Sequence, residues 1–189
     1  MSKVQHWEVN QTFIDTCNEN VELIRSAYKN KKPVKLKSFI DFENYEDEWW
    51  DKFYNNLNFN AFKPLWLNKN MIKFNYDQIN MDIPILNNLS EHLFNKVFTN
   101  HTVVLWISLG EDDAGTDWHQ DFQSMNDIPT YLICMNLIGK TQWEFKGYEN
   151  IEMTTGDIIA QNGSVPHKII PKGMRITLAG HSSLHNIKL

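Results

Sequence analysis

The spacing of hydrophobic residues changes near residue 100, from a helical period to a period of two. Phe13, Ile14, Cys17, Val21, Ile24 and Tyr28 recur at helical spacing, with Asn10 or Thr12 placed to cap the first turn and Pro33 to stop the helix. Val34 and Leu36 alternate with lysines, which predicts a short strand over 33–39. Trp49, Trp50, Phe53, Tyr54 and Leu57 share one helical face and predict a second helix over 46–57. The 58–88 region is mixed, with a strand expected over 71–76, and a short helix is expected over 90–98 with Ser90 as its cap.

Beyond Thr102 the pattern predicts strands over 102–109 and 131–138, a turn at Gly139-Lys140, and a further strand over 142–145. Met153 and Ile158-Ile159 flank a predicted turn at Thr155-Gly156-Asp157, and strands over 167–170 and 175–179 complete the set. Short strands separated by Gly, Pro, Asn and Asp indicate a sandwich or barrel. The expected organisation is one domain over 1–189, with a helical and mixed layer over 1–100 and a β-barrel over 101–189.

Composition narrows the class of function. Hydrophobic residues at 42% and charged residues at 22% are ordinary for a globular chain, while 13% aromatics point to a thick core or a walled pocket. A net charge of −5 disfavours nucleic-acid binding by bulk electrostatics, and Lys29-Asn30-Lys31-Lys32 is too short a basic run to alter that. No apolar stretch reaches the roughly 18 residues of a membrane helix, and the first residues lack the apolar centre of a signal peptide. Cys17 and Cys134 have neither metal-site nor disulfide-scaffold spacing and read as buried small hydrophobes, so a reducing cytoplasm is the expected compartment.

The candidate chemistry sits in the β half. His119-Gln120-Asp121 is an HxD step, and strand alternation puts His119 and Asp121 on one face with Trp118 and Gln120 on the other. With His167, two imidazoles and one carboxylate can occupy one face of an iron coordination sphere and leave the opposite positions open for a co-substrate and dioxygen. Arg175 and Thr177 share a face of the last predicted strand, and a guanidinium grips a carboxylate with two parallel hydrogen bonds. His6, His92 and His101 have no evident partner, His181 and His185 read as exposed or capping residues, and Trp118 and Trp143 as core or pocket wall.

Several stretches carry a family likeness. Gly115-Thr116-Asp117-Trp118-His119-Gln120-Asp121 resembles the first metal-binding stretch of the cupin and Jumonji-C-like superfamily. The run from Gly156-Asp157 through Asn162-Gly163 to Pro166-His167 resembles its second, where the terminal His is the third ligand. Residues 136–145 resemble the strand–turn–strand between the two, and 32–40 resembles a strand that leads into cupin-like hydroxylases. The resemblance implies a double-stranded β-helix (jelly roll) with N-terminal flanking helices, Fe(II) held by His119, Asp121 and His167, and 2-oxoglutarate as co-substrate. It further implies an oxygenase, most simply a hydroxylase, in which no side-chain acid or base is needed beyond the metal ligands.

The distal carboxylate of 2-oxoglutarate is expected on Arg175 and Thr177, in an Arg-x-Thr pattern similar to that of many such oxygenases. Thr116 matches a Thr that helps hold the same carboxylate in Jumonji-C proteins. The chain departs from the Jumonji-C pattern where a Lys is expected just before a Gly, since Ile138 precedes Gly139 and Lys140 falls two positions late. The alternative is a metal-binding cupin that does not use 2-oxoglutarate, an isomerase or small-ligand protein; such cupins often add a Glu or His ligand near the HxD, and 122–126 supplies none. A barrel without catalysis is a third reading, opposed by the intact ligand set. The substrate (a protein side chain, an amino acid or a small metabolite) is chosen by loops at 111–117, 123–129 and 58–88, and the oligomeric state is open.

Overall fold

In the β half, neighbouring residues point to opposite sides, and this alternation separates a packed outer face from a lined interior. The computed structural model describes residues 9–38, 66–68, 71–75, 84–108, 115–123 and 128–189. In chain order the elements begin with α1 (Gln11–Lys29), β1 (Val34–Lys35), β2 (Trp66–Asn68) and β3 (Met71–Asn75). Next comes α2 (Pro84–Leu89), which runs on through a π-helical turn at Ser90–Phe94 and a last turn at Asn95–Val97. Then follow β4 (Thr102–Ser108), β5 (Phe122–Gln123), β6 (Ile128–Phe145), β7 (Ile151–Met153), β8 (Ile158–Asn162), β9 (His167–Ser183) and a 3-10 turn at Leu184–Asn186.

Two long strands organise the sheets. β6 and β9 pair antiparallel from Thr130 opposite Ser183 to Phe145 opposite His167, with register slips between Asn136 and Lys140. Gly139 and Gly173 both have φ of 89°, a region that suits glycine, and bulges bend a strand. Each long strand therefore serves two layers. The first half of β6 and the second half of β9 are flanked by β8 and β1 on one side and by β4, β3 and β2 on the other. The second half of β6 and the first half of β9 join β7 and, through the His119–His167 bridge, the 115–121 segment. This is the double-stranded β-helix that the motifs implied.

The alternation assigns the faces. Leu105, Ile107, Ile133, Met135, Ile158, Ala160, Ile176 and Leu178 turn outward into a core shared with Phe13, Cys17, Val21 and Ile24 of α1 and with Leu89, Leu93, Phe94, Val97 and Phe98. Val104, Cys134, Ile159 and Ala179 turn inward and meet Trp143, Phe145 and Met153 from the facing layer. Each such aliphatic or aromatic side chain contributes roughly 1.5–3 kcal/mol when fully buried, so the helical layer is fixed to the barrel by apolar contact.

The helix expected from Phe13 to Tyr28 is present, capped by Asn10, whose Oδ1 accepts from Phe13 N–H at 2.9 Å. It stops at Lys29, short of Pro33. The predicted strand over 33–39 shortens to Val34–Lys35 because Asn20 of α1 competes for the backbone beyond it: Asn20 Oδ1 accepts from Lys37 N–H at 2.8 Å and Nδ2 donates to Lys37 O at 3.0 Å. Ser90 is not a cap, since the helix starts at Pro84, where proline fits a first turn. Gly139-Lys140 is a bulge inside β6 rather than a turn, and the two predicted C-terminal strands are one, bent near Gly173. The helix predicted over 46–57 lies outside the described residues.

Candidate metal centre

The 115–121 segment is held extended against β9 by a series of backbone bonds. Thr116 N–H donates to Ile169 O and Ile169 N–H to Thr116 Oγ1, both at 2.9 Å. His119 and His167 exchange two backbone hydrogen bonds at 2.9 Å, so their side chains stand side by side with ring centroids 4.3 Å apart. Asp121 N–H donates to Gly163 O at 2.9 Å. A Cβ on Gly163 would lie 2.6 Å from Asp121 O and 2.8 Å from Asp121 Cβ, so only glycine lets the two backbones approach this closely.

These contacts bring the three predicted ligands together. Asp121 Oδ2 lies 3.3 Å from His167 Nε2, Asp121 Oδ1 lies 3.7 Å from His119 Nε2, and one ligand atom from each residue fits within 4.8 Å of the others. They form the one such cluster among the described residues. His119 Nδ1 is 2.7 Å from Asp117 O and His167 Nδ1 is 2.9 Å from Val165 O. A carbonyl only accepts, so each Nδ1 carries a proton and each Nε2 is the ring nitrogen turned to the centre. Trp143 lies nearly parallel to the His167 ring, with centroids 5.6 Å apart, and Phe145 packs on it at 6.1 Å. His167 is 1% exposed, while the His119 and Asp121 side chains are 33% and 29% exposed, so the cluster has one buried side and one open side. The donor set, the tautomers and the open side fit a ferrous ion bound on one face.

Inward from the ligands is a cavity of about 40 Å³, lined by Trp106, Leu132, Cys134, Trp143 and Ile169 together with Thr116, Arg175 and Thr177. Arg175 is 2% exposed; burial pulls its pKa down to about 10, and it remains a cation at neutral pH. Its Nη1 donates to Thr141 Oγ1 at 3.3 Å, Asn136 Nδ2 donates to the same oxygen at 3.1 Å, and Thr177 Oγ1 donates to Asn136 Oδ1 at 3.0 Å. The Thr177 proton is thus given to Asn136, while Thr141, with both lone pairs accepting, keeps its own proton to donate. Thr116 and Thr177, expected to help hold a carboxylate, line the cavity; Thr141 and Asn136 join the polar group around Arg175 and Thr177 and carry no motif that marks them.

Other candidates fall elsewhere. Lys140 is exposed on the bulge. His92 packs edge-on to Phe13, and His101 lies against Phe94 and Phe98. Trp118 is 43% exposed, with Lys146 Nζ 5.2 Å from its ring centroid, whereas Trp143 forms interior wall. Asp157 faces β1: Lys35 Nζ, Ser38 Oγ and Thr154 N–H each lie 2.7 Å from its carboxylate. Cys17 and Cys134 are buried and outside any disulfide, and burial raises the Cys17 thiol to about 12.

No family model matches this sequence, and no curated protein matches it. Solved structures do. A prolyl-4-hydroxylase from Pseudomonas putida superposes with a TM-score of 0.58 at 11% identity, over 86% of this chain and 98% of that one. A prolyl 4-hydroxylase from Phytophthora capsici gives 0.57 at 10% identity, over 94% and 67%. An oxidoreductase of the 2OG-Fe(II) oxygenase family from Burkholderia pseudomallei gives 0.51 at 11% identity, over 88% and 91%. The chain shares the fold of these proteins, in agreement with the superfamily its motifs resemble. No helix among the described residues is long and apolar enough to cross a membrane.

Proposed function

We propose that this protein is an Fe(II)- and 2-oxoglutarate-dependent oxygenase that hydroxylates its substrate. The observation that carries the reading is the convergence of His119, Asp121 and His167 beside a cavity whose wall contains the buried cation of Arg175. When bound, Fe(II) and 2-oxoglutarate would let dioxygen oxidise the keto acid to succinate and carbon dioxide, with one oxygen atom entering succinate and the other a hydroxyl group on a substrate carbon.

The chain's own residues do the rest. His119 and His167 offer Nε2 lone pairs because Asp117 O and Val165 O hold their Nδ1 protons. Asp121 adds a carboxylate, so the three ligands leave a dication with one net positive charge to attract an anionic co-substrate. Arg175 holds the far carboxylate, with Thr141 Oγ1 beside the guanidinium and Thr116 and Thr177 on the cavity wall. Trp106, Leu132, Cys134 and Trp143 make the space between apolar, which strengthens each polar contact at its ends and keeps bulk water out. The exposed side, at His119 and Asp121, is where a substrate would approach.

Anaerobic titration tests the reading. Addition of Fe(II) and 2-oxoglutarate to the protein should give a weak visible charge-transfer band, and air should then yield succinate. Both signals should vanish in His119→Ala and Asp121→Ala while the thermal melt stays cooperative. Succinate formation retained in both variants would overturn the assignment, and metal binding without any band would favour a cupin that does not use 2-oxoglutarate.

A further inference from the structure

We propose that Gln161 is a positioning residue for the keto-acid end of the co-substrate, a role that rests on the oxygenase reading above. Gln161 lies on β8, where Ile158 and Ala160 pack outward and Ile159 and Gln161 turn inward. It is 0% exposed, an amide in a strand otherwise made mostly of Ile and Ala. Its terminal Nε2 is 3.1 Å from His167 Nε2. With the His167 Nδ1 proton given to Val165 O, its Nε2 can accept from the Gln161 NH2 group that faces it. Gln161 Oε1 has no hydrogen-bond partner among the described residues.

This bond uses the lone pair that makes His167 a metal ligand. Once that lone pair is committed to an ion, the Gln161 NH2 loses its acceptor, and at 0% exposure water does not replace it. A buried donor left unpaired is unfavourable, and a charged acceptor repairs the loss best. The next acceptor within reach would be an oxygen ligand filling the position beside His167. In the proposed enzyme that ligand is the carboxylate of the keto acid.

The strand register agrees. Gln161 lies opposite Leu132, whereas Thr177 lies opposite Asn136 and Arg175 one inward step beyond Thr177. Leu132 and Asn136 are four residues apart on β6, about 13 Å along the strand. Along the inward face, polar groups therefore stand at both ends, Gln161 next to a candidate metal ligand and Arg175–Thr177 at the far end, with Leu132 beside Gln161 and Cys134 between the ends. That pattern suits a dianion with an acid group at each end and a hydrocarbon middle.

The test measures two affinities on the full chain. Mn(II) binding is followed by calorimetry, and 2-oxoglutarate binding to the Fe(II)-loaded protein by its visible band without oxygen. Gln161→Leu removes the amide, and Gln161→Glu keeps its shape but donates nothing when ionised. Both variants should weaken 2-oxoglutarate binding at least about ten-fold, and Gln161→Leu should shift the band, a change that loss of packing alone would not produce. Mn(II) affinity of Gln161→Leu should stay within about three-fold of wild type, since the three ligands are untouched. Wild-type 2-oxoglutarate affinity in either variant would overturn the proposal. So would a ten-fold loss of Mn(II) in Gln161→Leu, which would make Gln161 a ligand. Failure of the loaded wild-type protein to bind 2-oxoglutarate would instead defeat the oxygenase reading, and this inference with it.

Discussion

Two backbone carbonyls decide which nitrogen each histidine offers, and a single carboxylate lies between the two that result. Asp121→Asn keeps the shape but removes the charge that offsets part of the ion's own. Mn(II) affinity should fall further than the roughly 10–100-fold seen when only a supporting hydrogen bond is lost, with the fold intact by circular dichroism. Arg175→Leu should leave Mn(II) binding unchanged and raise the 2-oxoglutarate requirement ten-fold or more, and Arg175→Lys should restore only part, because an ammonium lacks the planar fork. The candidate cluster of His119, Asp121 and His167 was legible in the sequence because HxD on an extended chain puts two side chains on one face, and because Pro166-His167 follows a recognisable turn. Thr141, Asn136 and Gln161 were not, since a buried amide or hydroxyl is an ordinary residue type until its inward position is known. Gln161 gave one usable sign, a polar residue two positions after Ile159 in a strand that opens with Ile158, Ile159 and Ala160.

Among the elements, two glycines separate the support of the site from the support of the core. Gly163→Ala would drive a methyl group into the backbone and Cβ of Asp121, so metal affinity should fall by more than global stability does. Gly180→Ala would instead press on the ring of Phe94 at 2.8 Å in the outer core. It should lower stability by roughly 1–3 kcal/mol and leave metal binding within error; denaturant melts beside Mn(II) titrations distinguish the two. Strand alternation was readable from the sequence, and with it the shared face of His119 and Asp121 and that of Arg175 and Thr177. The bends were not: Gly139 and Gly173 look like turn residues, and only the pairing partner on each side shows that the strand continues through them. The shortened β1 was equally hidden, because its competitor, Asn20, is a helix residue far away in sequence.

For the molecule as a whole, one acidic group ties the first strand to the barrel and gives stability a pH dependence. Burial alone would raise the Asp157 pKa, but hydrogen bonds from Lys35, Thr154 N–H and Ser38 and the Lys35 charge outweigh it and hold it below its ordinary 3.8. A depressed carboxyl pKa contributes stability that is present above 3.8 and is lost as pH falls through the folded value. Asp157→Asn should therefore lower stability at neutral pH and flatten its decline below about pH 4, as denaturant midpoints from pH 3 to 7 would record. Metal loading should add about 2.7 kcal/mol at a free ion concentration one hundred times Kd, seen as a higher melting temperature that a chelator reverses.

The two long strands carry a further consequence. Because β6 and β9 run through both layers, the barrel cannot part like the covers of a book; separating the layers would mean breaking the same ribbons twice. Among the described residues, the cluster opens at the rim, along the side where His119 and Asp121 meet solvent. On the proposed function, a substrate would be chosen at that doorway rather than by any yielding of the walls.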